Sequence, residues 1–341
     1  MQDNYRAWDI TADAFPKSEI LEEQLKFLLG FAILAPSSHN SQPWSFEISG
    51  NSIKVYAVTE RRLISSDKND RQLYISLGCV IANIVVAADY YGMEPVVRYL
   101  PDYNQPDFAA EISFSGNSGK SPDSNHLIFA IPKRTNNRNK YDNCLPDETF
   151  LNKLRSLAAQ DLRIDLIRDP QKKNQLADIA IAAGIAAMED EKFREELSRY
   201  VKSNLTKSKI GMPAFGMGIP TPVSLAVPFM IRRFNMNKLN RKKDEALLKK
   251  FTSCFIVVSA KNDDRGTWLK AGELYERISL LAVQAGMSTA VWAAPIQIGE
   301  FYKEFQKVLE TNFRPQLFFR LGRAKRASPH SPRLAVNDVL R

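Results

Sequence analysis

Apolar positions recur along the chain at two spacings, and the switches between them mark out its elements. Over residues 18–34, Leu21, Leu25, Leu28 and Ala32 fall at i, i+4, i+7 and i+11, with Glu22, Glu23 and Lys26 on the other side. That is the pattern of an amphipathic helix, and Pro36 stops it. Trp44, Phe46 and Ile48, then Ile53, Val55 and Ala57, alternate on either side of Ser49-Gly50-Asn51-Ser52, which predicts a β-hairpin. A mostly apolar helix over 72–90 follows, then strands near 95–100 and 108–114. Residues 115–125 are rich in Ser, Gly, Asn and Asp and read as a linker.

The order of elements then starts again. A short helix near 126–132 precedes a helix over 147–158, with Asp147 as its cap and Phe150, Leu151, Leu154 and Leu157 apolar. Leu162, Ile164 and Leu166 alternate as a strand, and residues 173–188 form an apolar helix. Cys254–Val258 is a short buried strand, residues 267–285 a long helix, and Leu317, Phe319 and Leu321 a final alternation. The two long helices share an ending: Gly78 precedes Gly92, and Gly272 precedes Gly286, by 14 residues in each case. A glycine inside a helix signals close packing, and one at its end a left-handed cap. Two unrelated buried helices could share that ending, but the flanking elements recur as well, which favours a tandem duplication. The expected halves are 1–125 and 126–341, with an insertion over about 190–250 interrupting the second. The fold class expected is α+β: an antiparallel-rich sheet flanked by helices, built twice and packed as an intramolecular pseudo-dimer.

With 341 residues, 44% hydrophobic and 25% charged, the chain can bury a core without cross-links. Its near-continuous apolar stretch, Met212–Ile231, is broken by four prolines and two glycines, so no membrane-spanning helix is expected. Met1–Asp9 shows no secretory signal. Cys79, Cys144 and Cys254 lie far apart with no CxxC, as in a cytoplasmic protein, and three scattered histidines define no metal site. Of the net charge of +9, much sits in residues 232–250, which hold eight basic and two acidic side chains. With one aromatic, Phe234, and no nucleic-acid motif, this run reads as a solvated face; neither nucleic acid nor membrane is an expected partner.

Two polar stretches exceed what turns require. Ala35-Pro36-Ser37-Ser38-His39-Asn40-Ser41-Gln42-Pro43-Trp44 runs from an apolar helix into an apolar strand. Its hydroxyls, amides and freed backbone N–H groups suit a phosphate and the edge of a heterocycle. Lys133-Arg134-Thr135-Asn136-Asn137-Arg138-Asn139-Lys140-Tyr141 places four cations within eight residues. Arginine can hold a phosphate through two hydrogen bonds at once, and on spacing alone a basic inter-repeat linker is an equal reading. Arg323, Lys325, Arg326 and the Ser328–Arg333 tail form a weaker basic patch.

The first stretch resembles the PSSxNxQPW loop of the FMN-dependent nitroreductase family. RTNNRNKY at 134–141 is similar to that family's Arg-x-Ser/Thr-x-Arg phosphate motif, as found in its tandem, Acg-like members. The helix Trp268–Met287, the strand Pro315–Gly322 and the SPR at 331–333 resemble the same group, so the likeness covers nearly all but about 190–250. It implies one FMN shared between the halves. Ser37, Ser38 and Asn40 would approach the flavin from the N-terminal half; Arg134 and Arg138 would hold its phosphate or ribityl chain. Asn136 stands where many members have Ser or Thr, and Ser331 and Arg333 match the C-terminal phosphate clamp. Backbone in Trp292–Pro295 would pass flavin N5. The reciprocal site has lost both components: Trp8–Asp13 lacks an arginine pair, and Ala158-Ala159-Gln160-Asp161 lacks the serine loop.

The implied function is an FMN oxidoreductase that passes electrons from a donor such as NAD(P)H to a small nitro- or quinone-type acceptor. No side chain is required as an acid or base, and a monomer suffices. The alternative is flavin storage or sequestration, with the insertion as a lid over an occluded FMN. A polyanion-binding protein is a distant third reading.

Overall fold

The computed structural model describes residues 3–115, 126–142, 144–159 and 161–341. The linker expected over 115–125 falls, from 116 onward, outside the described residues. Helix α1 (Leu21–Ala32) buries Leu25, Leu28, Leu29, Phe31 and Ala32, as its periodicity requires. Strands β1 (Trp44–Ser49) and β2 (Ser52–Ala57) form the hairpin, with Phe46 opposite Val55 and Ile48 opposite Ile53. Helix α2 (Arg71–Tyr90) leads to β3 (Glu94–Tyr99) and β4 (Phe108–Ser115). The sheet order is β1-β2-β4-β3, and every pair is antiparallel.

The second half begins with a 3₁₀ turn over Leu127–Lys133 and α3 (Glu148–Arg155), whose Phe150 N–H donates to the Asp147 carboxylate at 2.8 Å. Strand β5 (Leu162–Ile167) is followed by a long excursion. This holds α4 (Pro170–Glu189), α5 (Glu191–Tyr200), the short parallel pair β6 (Val201–Lys202) and β7 (Met212–Pro213), α6 (Thr221–Ser224), α7 (Val227–Arg233) and α8 (Asn237–Glu245). Strand β8 (Cys254–Ala260), α9 (Arg265–Gln284), β9 (Ser288–Val291), α10 (Ala294–Gln297), α11 (Phe301–Leu309) and β10 (Arg314–Gly322) complete it. The second sheet runs β5-β8-β10-β9, again wholly antiparallel. Matched by position, β1, β2, β4 and β3 become β5, β8, β10 and β9, so the two sheets have one topology and the fold is duplicated. The tight β1–β2 turn corresponds to all of 168–253 in the second half. The excursion therefore begins at the end of β5, earlier than its charged helix suggested.

The halves meet where α2 crosses α9. A Cβ built on Gly78 would lie 2.0 Å from the carbonyl oxygen of Leu269, and one built on Gly272 would lie 2.0 Å from that of Ile75. Each glycine thus faces the residue three before the other, the reciprocity of a two-fold contact within one chain. Both helices end alike. Gly92 (φ 74°) and Gly286 (φ 68°) are left-handed, and Met93 and Met287 N–H close back on the carbonyls of Ala88 and Ala282, the Schellman pattern. Helix α2 is the one described helix long and apolar enough to cross a membrane, and 89% of its most apolar 18 residues are buried in protein. The C-terminal tail returns to the first half: Phe46 N–H donates to Val339 and Arg341 N–H to Phe46, covering the edge of β1.

Candidate functional site

The loop after α1 is held in an uncommon backbone conformation. His39, Asn40 and Gln42 have φ of 53°, 54° and 51°, left-handed values that cost non-glycine residues energy and persist where the surroundings fix them. Gln42 shows how. Its N–H donates to Ser37 Oγ at 2.9 Å, its side-chain amide donates to Lys209 O at 2.7 Å, and its Oε1 accepts from Leu334 N–H at 2.9 Å. Ser38 Oγ donates to Gln72 Oε1 at 3.3 Å. Asn40 donates to Gly211 O (2.9 Å) and Pro332 O (3.0 Å) and accepts from Arg333 Nη1 at 2.7 Å.

The arginine turn arrives from the other half. Arg134 Nη2 donates to Leu34 O at 3.1 Å, and its Nε stands 3.1 Å from the Glu276 carboxylate of α9. Arg333 reaches the same carbonyls, donating to Leu34 (3.2 Å) and Ala35 (3.1 Å), and lies over the Trp8 ring. Trp8 Nε1 donates to Ser331 O at 2.9 Å and stacks on His330 at 3.9 Å. Ser37, Ser38, Asn40, Arg134, Ser331 and Arg333 are thus gathered at one junction of the halves. Asn136 sits at its edge, where its Oδ1 accepts from Val291 N–H at 2.9 Å and fixes the end of β9.

Arg138 differs from the others. It is half-buried and has no hydrogen-bond or ion-pair partner among the described residues, yet lies within electrostatic reach of His39, Tyr275, Tyr141 and Asp244. Burial lowers its pKa. Burial also holds His39 down to about 4, aided by Arg138 and opposed by Glu196, so the imidazole is neutral near pH 7. Burial lowers His330 to about 4 and Arg333 to about 9, with Arg134 contributing to both. It raises Glu276 to about 7 and Asp244 to about 6, against the pull of neighbouring cations. Arg134 and Arg333 thus act on Glu276, and Arg138 on Asp244, two carboxylates that burial drives toward neutrality. Nε of Arg333 and Nδ1 of His39 and His330 are buried without hydrogen-bond partners among the described residues. The unpartnered Arg138 cation and the orphaned ring nitrogens are an environment that an anion with several acceptor oxygens would satisfy.

The excursion covers this junction. Glu196 of α5 accepts from the N–H groups of Ser65 and Ser66, both at 2.9 Å, and from the Ser66 hydroxyl. Phe193 and Tyr200 flank His39 with ring centroids 6.4 and 5.8 Å away, and Gly211 N–H donates to Asn40 O. The void lined by Ser38, Ser41, Arg61 and Leu73 is about 10 Å³. A cavity of about 810 Å³ lies elsewhere, beside Phe15, Tyr91 and Phe114, and contains no motif residue.

Roles for Glu276, Gln42, Arg320 and the excursion residues Glu196 and Asp244 were not anticipated from sequence. Arg320 is fully buried between the Tyr141 and Trp292 rings and donates to Asn137 O and Asn139 O, which shapes the arginine turn. Its signal was present: a lone charge within the apolar run of β10.

No family model matches the chain. A Mycobacterium tuberculosis protein named "Putative NAD(P)H nitroreductase Rv3131" is 26% identical over 325 residues, 93% of this chain and 91% of its own. A second from that organism, "Putative NAD(P)H nitroreductase acg", is 23% identical over 328 residues, 95% of this chain and 97% of its own. Among solved structures, the FMN- and NADPH-dependent nitroreductase NfnB from sphigopyxis sp. strain HMH aligns at 13% identity and TM-score 0.43, covering 63% of this chain and 97% of that one. A nitroreductase with bound FMN from Desulfitobacterium hafniense aligns at 16% and 0.40, covering 62% and 95%. The class defined by the fold is a duplicated α+β architecture with a serine loop and an arginine turn meeting where its halves join. The chain is similar over nearly its whole length to proteins named putative NAD(P)H nitroreductases.

Proposed function

We propose that the chain binds one FMN at the junction of its halves and acts as a nitroreductase-like oxidoreductase. Arg138 carries the reading: a half-buried cation with no hydrogen-bond or ion-pair partner among the described residues, beside the loop of the opposite half, is a group suited to a ligand. Arg138 would take the phosphate, while Arg134 and Arg333 supply positive potential and orient the wall formed by Leu34 and Ala35. Asn40 and Ser37, whose polar atoms already serve the protein, would shape the loop, leaving Ser38 and His39 nearer the ring. When bound, FMN would supply hydride and electron transfer at N5, between NAD(P)H and a small nitro- or quinone-type acceptor. In Trp292–Pro295, Trp292 N–H is taken by Phe318 O and proline has none. Ala293 and Ala294, with no backbone or side-chain acceptor among the described residues, are the main-chain donors left for that atom.

The test begins with the absorption spectrum of the purified protein, expected to show about one flavin per chain. Arg138→Ala should weaken FMN binding roughly 10- to 100-fold, the worth of a charged hydrogen bond, with little change in melting temperature because Arg138 holds no other residue. Unaltered flavin affinity in that variant would remove the phosphate assignment.

The latch of Glu196 on Ser65 and Ser66, with Phe193 and Tyr200 over His39, supports storage as a second reading. Under it, the flavin would stay oxidised with NADH or NADPH and bleach with dithionite. Bleaching by either nicotinamide would decide for the oxidoreductase.

A further inference from the structure

We propose that residues 221–234 of the excursion dock on the surface of an anionic lipid bilayer. The stretch has two apolar faces. Val227 and Ile231 are 6% and 8% exposed and pack with Val201. Phe229 stands two positions before Ile231, about 200° around α7, and Leu225 lies in the turn that leads into that helix; they are 61% and 64% exposed. Arg232 and Arg233 follow Phe229 at three and four residues, on the same side of α7. Phe234, 55% exposed, meets Phe229 edge-on with centroids 6.3 Å apart. With Val223, this places four of the twelve exposed large apolar side chains among the described residues in one twelve-residue stretch.

Charge selects the occupant. Arg232 has an acidic neighbour in Glu195, but Arg233 has no hydrogen-bond or ion-pair partner among the described residues. Leucine and phenylalanine rimmed by basic side chains suit the headgroup boundary, where the rings enter the acyl region and the cations meet phosphates. A second copy would bring like surpluses of charge together. A nucleic acid would engage the cations and leave Leu225 and Phe229 in water. The sequence reading as a solvated basic face counted the cations without the apolar stripe just before them.

The full chain should co-sediment with vesicles of phosphatidylcholine mixed with phosphatidylglycerol, and not with phosphatidylcholine alone. Leu225→Ser with Phe229→Ser should cut that binding about tenfold or more, and Arg232→Gln with Arg233→Gln about fivefold per charge removed. Circular dichroism should show both variants folded, since the side chains are exposed. Equal binding to neutral vesicles, binding to neither, or binding unaffected by the serine pair would overturn the proposal. So would lipid-free dimers abolished by that pair, or DNA binding retained in it, which would give the surface to another partner.

Discussion

A single methyl group at Gly78 is expected to disrupt the packing of one half on the other. The added carbon of Gly78→Ala would sit 2.0 Å from Leu269 O and 3.0 Å from Glu273 N. Both are helix backbone, which cannot turn aside as a side chain can. Shifting α9 away would also break the reciprocal contact of Gly272 on Ile75. Overpacking ordinarily costs about 1–3 kcal/mol; with backbone as the obstacle, a loss of about 3 kcal/mol or more is expected in thermal or urea unfolding. Gly184→Ala is the control. It lies inside α4 with nothing within 4 Å of the added carbon, and should stabilise by roughly 0.5–1 kcal/mol through helix propensity. A Gly78→Ala protein as stable as its parent would mean that the helix crossing is looser than this geometry.

The second large effect is expected from Arg134→Met. It strands the Glu276 carboxylate, which is fully buried and paired with Arg134 at 3.1 Å. Removing one partner of such a pair costs about 3–5 kcal/mol. The loss should depend on pH, with a definite sign. Burial already raises Glu276 from 4.5 to about 7, and Arg134 opposes that rise; without it the folded-state value climbs further. The folded variant then keeps a proton that the unfolded chain releases above about 4.3, so stability falls as pH increases from there toward and past neutrality. Denaturant titrations should find the variant nearest its parent around pH 5 and furthest from it at pH 8. Adding Glu276→Leu should restore most of the deficit at the higher pH. Equal losses at both pH values would show that the carboxylate is not the cause.

The two effects share an origin that was half legible in the sequence. The 14-residue glycine spacing announced two related helices, because each glycine leaves a local mark: one suits a crossing, the other a cap. Glu276 left none. Its partner lies 142 residues away, and a carboxylate in a helix becomes informative only when the face it occupies is known to be buried. The hairpin, α1, α2, α4 and α9 were readable because apolar periodicity reports burial directly. Strand β9 has four residues and α11 nine, too short for their periods to stand out. The excursion's helical start at Pro170 was hidden because α4 is an ordinary apolar helix that no spacing distinguishes from a core element. At the site, the serine loop and arginine turn were visible as chemistry, while the work of Asn40 and Gln42 in holding Gly211, Pro332, Lys209 and Leu334 depends on contacts across more than 160 residues.

The crossing of α2 and α9 within one polypeptide has an evolutionary corollary. In an assembly of two identical subunits every substitution appears twice, so a change that helps one binding pocket is imposed on its twin. Joined in a single gene, the copies are free to specialise: one retains the serine loop, the other the guanidinium turn and an 86-residue outgrowth over 168–253 where its counterpart keeps a tight turn. Dilution cannot part them, because tethering replaces the equilibrium between separate subunits.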